Sequence, residues 1–302
     1  MFSPNIIGAR VSVVHAAGQP EPDLDGPTPD GAPRPQAILL TFFGSYLLGR
    51  DVQVATSSVI EVLDRVGVSE HATRSTLSRM ARRDLLRRVR RGRQVYLGLT
   101  TRSQEILRDG ETRVWHTGAV NEQWDGTWTL LGFSLPESWQ RQRHELRSRL
   151  LWAGFGPLQN GLWISPSHAD VAAVTEGLQA ARHIRAFEAR ALAPTDLDGL
   201  LCDAWDLDAI AARYRGFVER WQEAGRRPPL PDRLAQHLAL QTDWLQVIRQ
   251  DPRLPARHLP RDWPAAHAQE VFRTFYSELD PEARTIAARI LDLVPDLDAG
   301  PG

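Results

Sequence analysis

The chain has 302 residues, room for two or three domains at roughly 100–200 residues each. Its 42% hydrophobic and 24% charged content excludes a wholly disordered protein, and no stretch approaches the ~18–20 uninterrupted apolar residues of a membrane helix. The net charge of −1 conceals a segregation: residues 34–110 carry 14 Arg against 7 acids, residues 1–33 one Arg against four, and residues 111–302 carry 21 Arg against 26 acids. A basic segment inside a near-neutral chain points to a polyanionic partner more than the total does.

All the strongly basic residues are Arg, which is also what a GC-rich genome produces, so their placement carries the argument rather than their number. The single cysteine, Cys202, excludes an intrachain disulfide and a cysteine zinc cage. That usage suits a cytoplasmic protein. The opening 17 residues lack a basic region ahead of their apolar run, so a secretion signal is not expected.

In chain order, residues 1–35 read as a Pro-rich disordered tail. AILLTFFGSYLLG opens the folded part as an apolar helix stopping at Gly49. Ser58-Val-Ile-Glu61 has the form of a capping box opening a second helix that ends at Gly67. Ser69 follows as the N-cap of a third, HATRSTLSRMARRDLL. Two helices separated by about three residues including a Gly form a helix-turn-helix. RRVRRGRQVYLGLT then reads as a β-hairpin turning at Arg91-Gly92-Arg93, the winged form of the motif. Thr101-Arg-Ser-Gln104 opens the next helix, and residues 36–110 are thus expected as a winged helix-turn-helix domain.

Residues 111–123 read as a linker helix, and 124–194 as a domain with the order β-α-β-β-α-β, which is ferredoxin-like. Residues 195–295 read as a helical C-terminal domain, with helices over 198–223, 232–249, 265–279 and 281–293. The Pro-rich connection 251–264 is long for a compact domain and is marked as a functional candidate. The fold class is α+β.

The third helix carries the functional signal. Its spacing places Ala72, Leu77, Met80 and Ala81 inward and His71, Arg74, Ser75, Ser78, Arg79 and Arg82 on one outward face. Arg pairs bidentately with guanine, Ser bonds in either sense, and Arg also reaches phosphates. The hairpin adds Arg87, Arg88, Arg90, Arg91 and Arg93 at a position suited to backbone or minor-groove contact. These residues define a double-stranded DNA interface. A charge run on a helix is more often a mere solvated face; the two-helix spacing, the Gly turn and the basic excess are what favour DNA.

The residues AILLTFFGSYLLGR, VSEHATRSTLSRMARRDLLRRVRRGRQVYLGLT, WDGTWTLLGFSLPESWQRQRHELRSRLLWAGFGPLQNGLWISP and DPRLPARHLPRDWP together resemble the PaaX family, repressors of phenylacetic acid catabolism. The likeness spans about residues 36–293, and the third stretch is its most specific part; the Pro-rich start departs from the usual family beginning. The resemblance implies a winged helix, a central domain similar to the Cas2 ferredoxin-like fold, a helical C-terminal domain, and a homodimeric repressor released from its operator by phenylacetyl-CoA or another acyl-CoA. A CoA thioester needs Arg partners for its phosphates, and Arg226, Arg227, Arg253, Arg257 and Arg261 are the candidates, with plain surface Arg as the alternative.

Three further expectations complete the reading. The Cas2 family places a metal-binding Asp at the end of its first strand. Here that strand ends Gly132-Phe133-Ser134-Leu135-Pro136, and Asp125 lies before it, so no metal, cofactor or catalytic residue is expected. The clustered Trp124, Trp128, Trp139, Trp152 and Trp163 are read as packing rather than base stacking. Asp196, Asp198, Asp203, Asp206 and Asp208 are read as helix-start residues rather than ligands, and Cys202 as a buried small residue. A Cas2-like nucleic-acid enzyme and a winged-helix protein-interaction scaffold are the competing functions.

Overall fold

The computed structural model describes residues 34–117, 119–222, 228–249 and 251–296. Helix α1 (Pro35–Tyr46) begins with Pro at its first position, where no N–H is needed, and buries Leu39, Phe42 and Phe43. A short strand β1 (Val52–Ala55), which the sequence did not announce, leads into α2 (Thr56–Arg65). The expected capping box at Ser58 is not one: α2 starts two residues earlier, and the Ser58 hydroxyl is buried, donating to Ile290 O at 2.8 Å. Gly67 takes φ 82° in the turn, and α3 (Glu70–Arg82) follows with Ser69 as N-cap, its side chain accepting from Ala72 N. Strands β2 (Leu86–Arg91) and β3 (Gln94–Leu99) form a hairpin in full register, Arg91 opposite Gln94. Its two-residue loop opens on Gly92 at φ 62°, the sign that matches the twist of the flanking strands. α4 (Thr101–Thr112) is capped reciprocally by Thr100 and Ser103, one residue earlier than Thr101-Gln104 suggested.

A π-helical turn at Arg113–Thr117 continues α4. Beyond it the expected linker helix over 111–123 gives way to turns and an isolated bridge from Asn121 to Pro255. Strand β4 (Trp128–Phe133), α5 (Gln140–Trp152), β5 (Gly156–Gln159), β6 (Leu162–Ser165), α6 (Val171–Thr175) and β7 (Ile184–Ala189) then build an antiparallel sheet of order β5-β6-β4-β7. This is the predicted β-α-β-β-α-β order. Alternation along the strands sends Leu131 and Trp163 to a core with Leu146 and Leu150 of α5. It sends Trp128 and Ile164 to the opposite core, shared with the C-terminal helices.

Those helices are α7 (Leu197–Ala204), α8 (Leu207–Gln222), α9 (Arg233–Arg249) and α10 (Ala265–Ile290). Asp196 and Asp206 cap the first two, accepting from Asp198 N and Ala209 N, as their helix-start positions predict. Cys202 is exposed, a correction: α7 turns Leu201 and Ala204 inward, and Cys202 lies about 100° around the helix from Leu201. The two expected helices over 265–279 and 281–293 are one helix. Pro281 costs about 3 kcal/mol in a helix interior. It stands exposed, however, while the stripe Ala265, Ala268, Phe272, Leu279, Ala283 and Ala287 runs buried past it. Burying each large apolar side chain on that stripe contributes roughly 1.5–3 kcal/mol, enough to carry the helix through.

Residues 293–295 are strand, not helix: β8 (Leu293–Pro295) pairs antiparallel with β1, giving the first sheet the order β2-β3-β1-β8. The core beneath it is also completed from the C-terminal half, with Leu234 and Leu238 of α9 and Ala283 and Ala287 of α10 packed among Phe42, Leu63, Leu77 and Met80.

Candidate nucleic-acid interface

Helix α3 is held by one face and free on the other. Thr73, Thr76, Leu77 and Met80 are buried, while Ala72 and Ala81 are half-buried against the same core. His71, Arg74, Ser75, Arg79 and Arg82 are exposed, and Ser78 is half-buried. The helix stops cleanly. Asp84 takes the left-handed conformation at φ 57° where Gly is usual, and Leu85 N returns to Met80 O at 2.9 Å. Thr100 Oγ1 donates to Asp84 O at 2.7 Å and sets the chain into the hairpin.

The outward arginines of α3 that form hydrogen bonds do so within their own helix. Arg74 Nε donates to Glu70 Oε1 at 2.7 Å, with both side chains about 60% exposed. Arg79 lies back along the helix, donating to Thr76 Oγ1 at 2.9 Å and Ser75 Oγ at 3.4 Å. Exposed contacts of this kind contribute roughly 0.3–0.5 kcal/mol each, so a phosphate or base edge displaces them at little cost.

The hairpin divides its arginines by strand alternation. Arg88 and Arg90 leave β2 on the side of Leu86 and α3, and Arg88 Nη2 donates to Ser78 Oγ at 3.1 Å, tying the hairpin to the helix face. Arg93 is exposed in the loop. Arg91 leaves on the opposite side and donates to Pro295 O at 2.8 Å. It therefore stands apart from the α3 face; the sequence assigned it, with the other hairpin arginines, to backbone or minor-groove contact. Arg87 shares that opposite side and pairs with Asp296 at 2.5 Å. Counting arginines along the sequence missed this division; the period of two in LRRVRR holds the signal. The sequence reading also passed over Arg102, which donates to Arg83 O at 3.3 Å beside the end of α3.

The second set of candidate arginines is differently placed. Arg226 and Arg227 lie outside the described residues. Arg253 is half-buried at φ 58°; its backbone N–H donates to Asp251 Oδ1 at 2.7 Å, and Asp251 also accepts from the Tyr214 hydroxyl. Burial pushes the Asp251 carboxyl and the Tyr214 phenol up and the Arg253 guanidinium down. Arg257 lies 4.4 Å over the Trp124 ring, and Arg261 is exposed. Arg190, which the sequence did not single out, flanks Gly126 together with Arg257: a Cβ placed on Gly126 would lie 3.7 Å from a terminal nitrogen of each. A cleft of about 730 Å³ between α7–α8 and residues 260–264 is lined by Asp203, Asp206, Asp208 and Asp262 against Arg215. None of Arg253, Arg257 and Arg261 lines it.

In the central sheet, β4 ends at Phe133, and Asp125 stands before it. Asp125 accepts from Thr127 N at 2.8 Å and meets His168 Nε2 at 3.2 Å, while His168 Nδ1 meets Glu188 at 2.8 Å. The two carboxylates, Glu188 foremost, hold the imidazole above its ordinary pKa, and Asp125 is held below its own chiefly by the Thr127 N–H. Among the described residues no three His, Cys, Asp or Glu side chains group to hold a metal ion. No described helix is long and apolar enough to cross a membrane. Trp128 and Trp163 are buried, and Trp124 packs edge-on against Trp128 at 4.6 Å, which is packing rather than a stacking platform. Trp139 and Trp152 are half-buried.

Three family models match successive parts of the chain: PaaX-like protein at residues 34–103, PaaX protein central Cas2-like domain at 121–201, and PaaX-like protein C-terminal domain at 205–289. The transcriptional repressor PaaX of Escherichia coli K12 is 26% identical over 265 residues, covering 82% of this chain and 81% of its own. Among solved structures, the uncharacterized protein Rv0674 from Mycobacterium tuberculosis superposes with a TM-score of 0.56 at 23% identity, over 84% of this chain and 98% of its own. That likeness is one of fold.

Proposed function

Since this chain belongs to the PaaX family of regulators, we propose that it is a transcriptional repressor that reads duplex DNA with helix α3. In this reading α2, the Gly67 turn, α3 and the β2–β3 hairpin act as a winged helix-turn-helix. The first turns of α3 present His71, Arg74 and Ser75 to base edges in the major groove. Ser78, Arg79 and Arg82 continue the contact, and Arg88, Arg90 and Arg93 of the hairpin reach the phosphates or the minor groove. The observation that carries the proposal is the sidedness of α3: its charged side chains are exposed together on the face opposite the buried Leu77 and Met80, and Arg88 joins them from the hairpin.

The mechanism is a population shift. A homodimer presents two α3 helices at one half-site spacing, and an aryl- or acyl-CoA that binds the other arrangement better empties the operator. Moving the population from mostly bound to mostly free takes a differential affinity of about 5 kcal/mol. The Arg190–Arg257 pair supports a phosphate contact better than the acidic cleft, whose carboxylates repel a polyanion. No catalytic step is assigned to the chain. A repressor of this kind works in the cytoplasm.

The test is a gel shift with the DNA upstream of the protein's own gene, run with and without a panel of CoA thioesters. Retarded DNA that is released by a thioester supports both halves of the proposal. Absence of any shift with duplex DNA removes the first half, and a shift indifferent to every thioester removes the second.

A further inference from the structure

We propose that Asp296, at the end of β8, is a positioning residue that fixes the β2–β3 hairpin for DNA contact; this rests on the DNA-binding reading above. The Asp296 side chain is only 5% exposed. One oxygen accepts from Gln53 Nε2 of β1 at 2.9 Å, and the other pairs with Arg87 Nη2 of β2 at 2.5 Å. One carboxylate thereby ties the far strand of the sheet to the near ones, because β3 and β1 lie between β2 and β8.

The sequence makes room for this reach. Gly98 of β3 stands opposite Arg87 in the ladder, and a Cβ there would lie 2.9 Å from Asp296 Oδ2 and 3.3 Å from Gln53 Cγ. With no side chain at 98, the Arg87 guanidinium crosses β3 to meet the carboxylate. Arg91, four residues further along β2 on the same side, donates to Pro295 O of β8 at 2.8 Å. The Tyr96 hydroxyl donates to Asp292 Oδ2 at 2.8 Å. The backbone completes the strap, with Asp296 N donating to Asp51 O at 2.8 Å and Ala55 N to Asp292 O at 2.9 Å.

The hairpin's arginines thus divide into two crews. Arg87 and Arg91 are held by β8 and the residue that follows it, which fixes the direction in which Arg88, Arg90 and Arg93 point. β8 follows α10 after two residues, so the contact also joins the hairpin to the C-terminal helices.

The experiment uses the full chain with D296A, D296N and G98A, the last displacing the carboxylate sterically. Trypsin cleavage at Arg90–Arg93 without DNA reads hairpin opening, and it tracks the open population when reclosing is fast. D296A and G98A are expected to raise that rate about tenfold and to weaken duplex binding about 3- to 10-fold. In an R90A/R93A background the D296A effect on binding is expected to vanish, since the hairpin then has little left to position.

An unchanged trypsin rate overturns the proposal, and so does an equal loss of binding in the R90A/R93A background, which marks a general loss of fold. If D296A melts below the assay temperature, D296N, which keeps the shape and one acceptor, gives the same comparison. Tight binding by D296A overturns the positioning role alone. Failure of the unsubstituted chain to bind any duplex overturns the DNA reading and this role with it.

Discussion

Two groups of arginines, equally prominent in the sequence, meet opposite fates. On α3 and the hairpin, Arg74, Arg79, Arg82, Arg88, Arg90 and Arg93 are exposed, and the heads of Arg74, Arg79, Arg88 and Arg90 rest on side chains and a turn carbonyl of the same module. Along 251–264, Arg253 is drawn into a buried cluster with Asp251 and Tyr214, and Arg257 covers the Trp124 ring. A regular helix anchored on one side has to display its polar residues together on the other. An irregular Pro-rich connection has no period, so Arg253 and Arg257 settle on unrelated partners and Arg261 stays exposed apart from them. Arginine number says little about a binding surface; regular spacing on an anchored element says much.

The strongest way to break this contrast is R74A/R79A. Both side chains are exposed, so the thermal midpoint should hold while duplex affinity falls by roughly 2–6 kcal/mol, given about 1–3 kcal/mol for each bidentate base contact. Unaltered affinity, measured by fluorescence anisotropy, returns α3 to a solvated face and favours a protein-interaction scaffold.

The next effect lies where the two halves meet, among polar groups enclosed by the fold. His237 of α9 is 1% exposed, and burial pushes its pKa down to about 4. The neutral ring is favoured in the folded protein, so this contribution is complete above the unfolded value near 6.5 and is lost as pH falls from there toward about 4. Roughly 3 kcal/mol is at stake. Denaturant midpoints at pH 7 and pH 5 should differ more for the native chain than for H237Q, and parallel shifts in the two would remove His237 from the account.

Smaller still, R257A should cost about 0.5–1 kcal/mol of stability through the lost ring contact and leave duplex affinity in place. Loss of DNA binding in that variant would erase the contrast between the two arginine groups. The finest measurement is the salt dependence. For the proposed dimer, about six to ten phosphate contacts give a log–log slope of roughly −5 to −9, and R90A should make it shallower by about 1 for each arginine lost. A slope unmoved by R90A would take the hairpin off the phosphate backbone.

Much of this was open to inspection in the sequence. Ser69 as N-cap, Leu77 and Met80 inward, Arg74 and Arg79 outward, and the turn at Gly92 all follow from local geometry, and the structure has them so. The errors fell where a distant segment intervened. Ser58 looked like a cap and instead serves Ile290, and Pro281 looked like a break and is carried by packing.

The chain's order of residues thus determined the helices, the hairpin and the face of α3, because capping, periodicity and turn chemistry act within about ten residues of their cause. Only the tertiary structure decided that a three-residue strand at 293–295 closes the first sheet and which hairpin arginines remain outside. Those outcomes depend on contacts more than 200 residues apart in sequence, and no local pattern records which distant carboxylate will arrive.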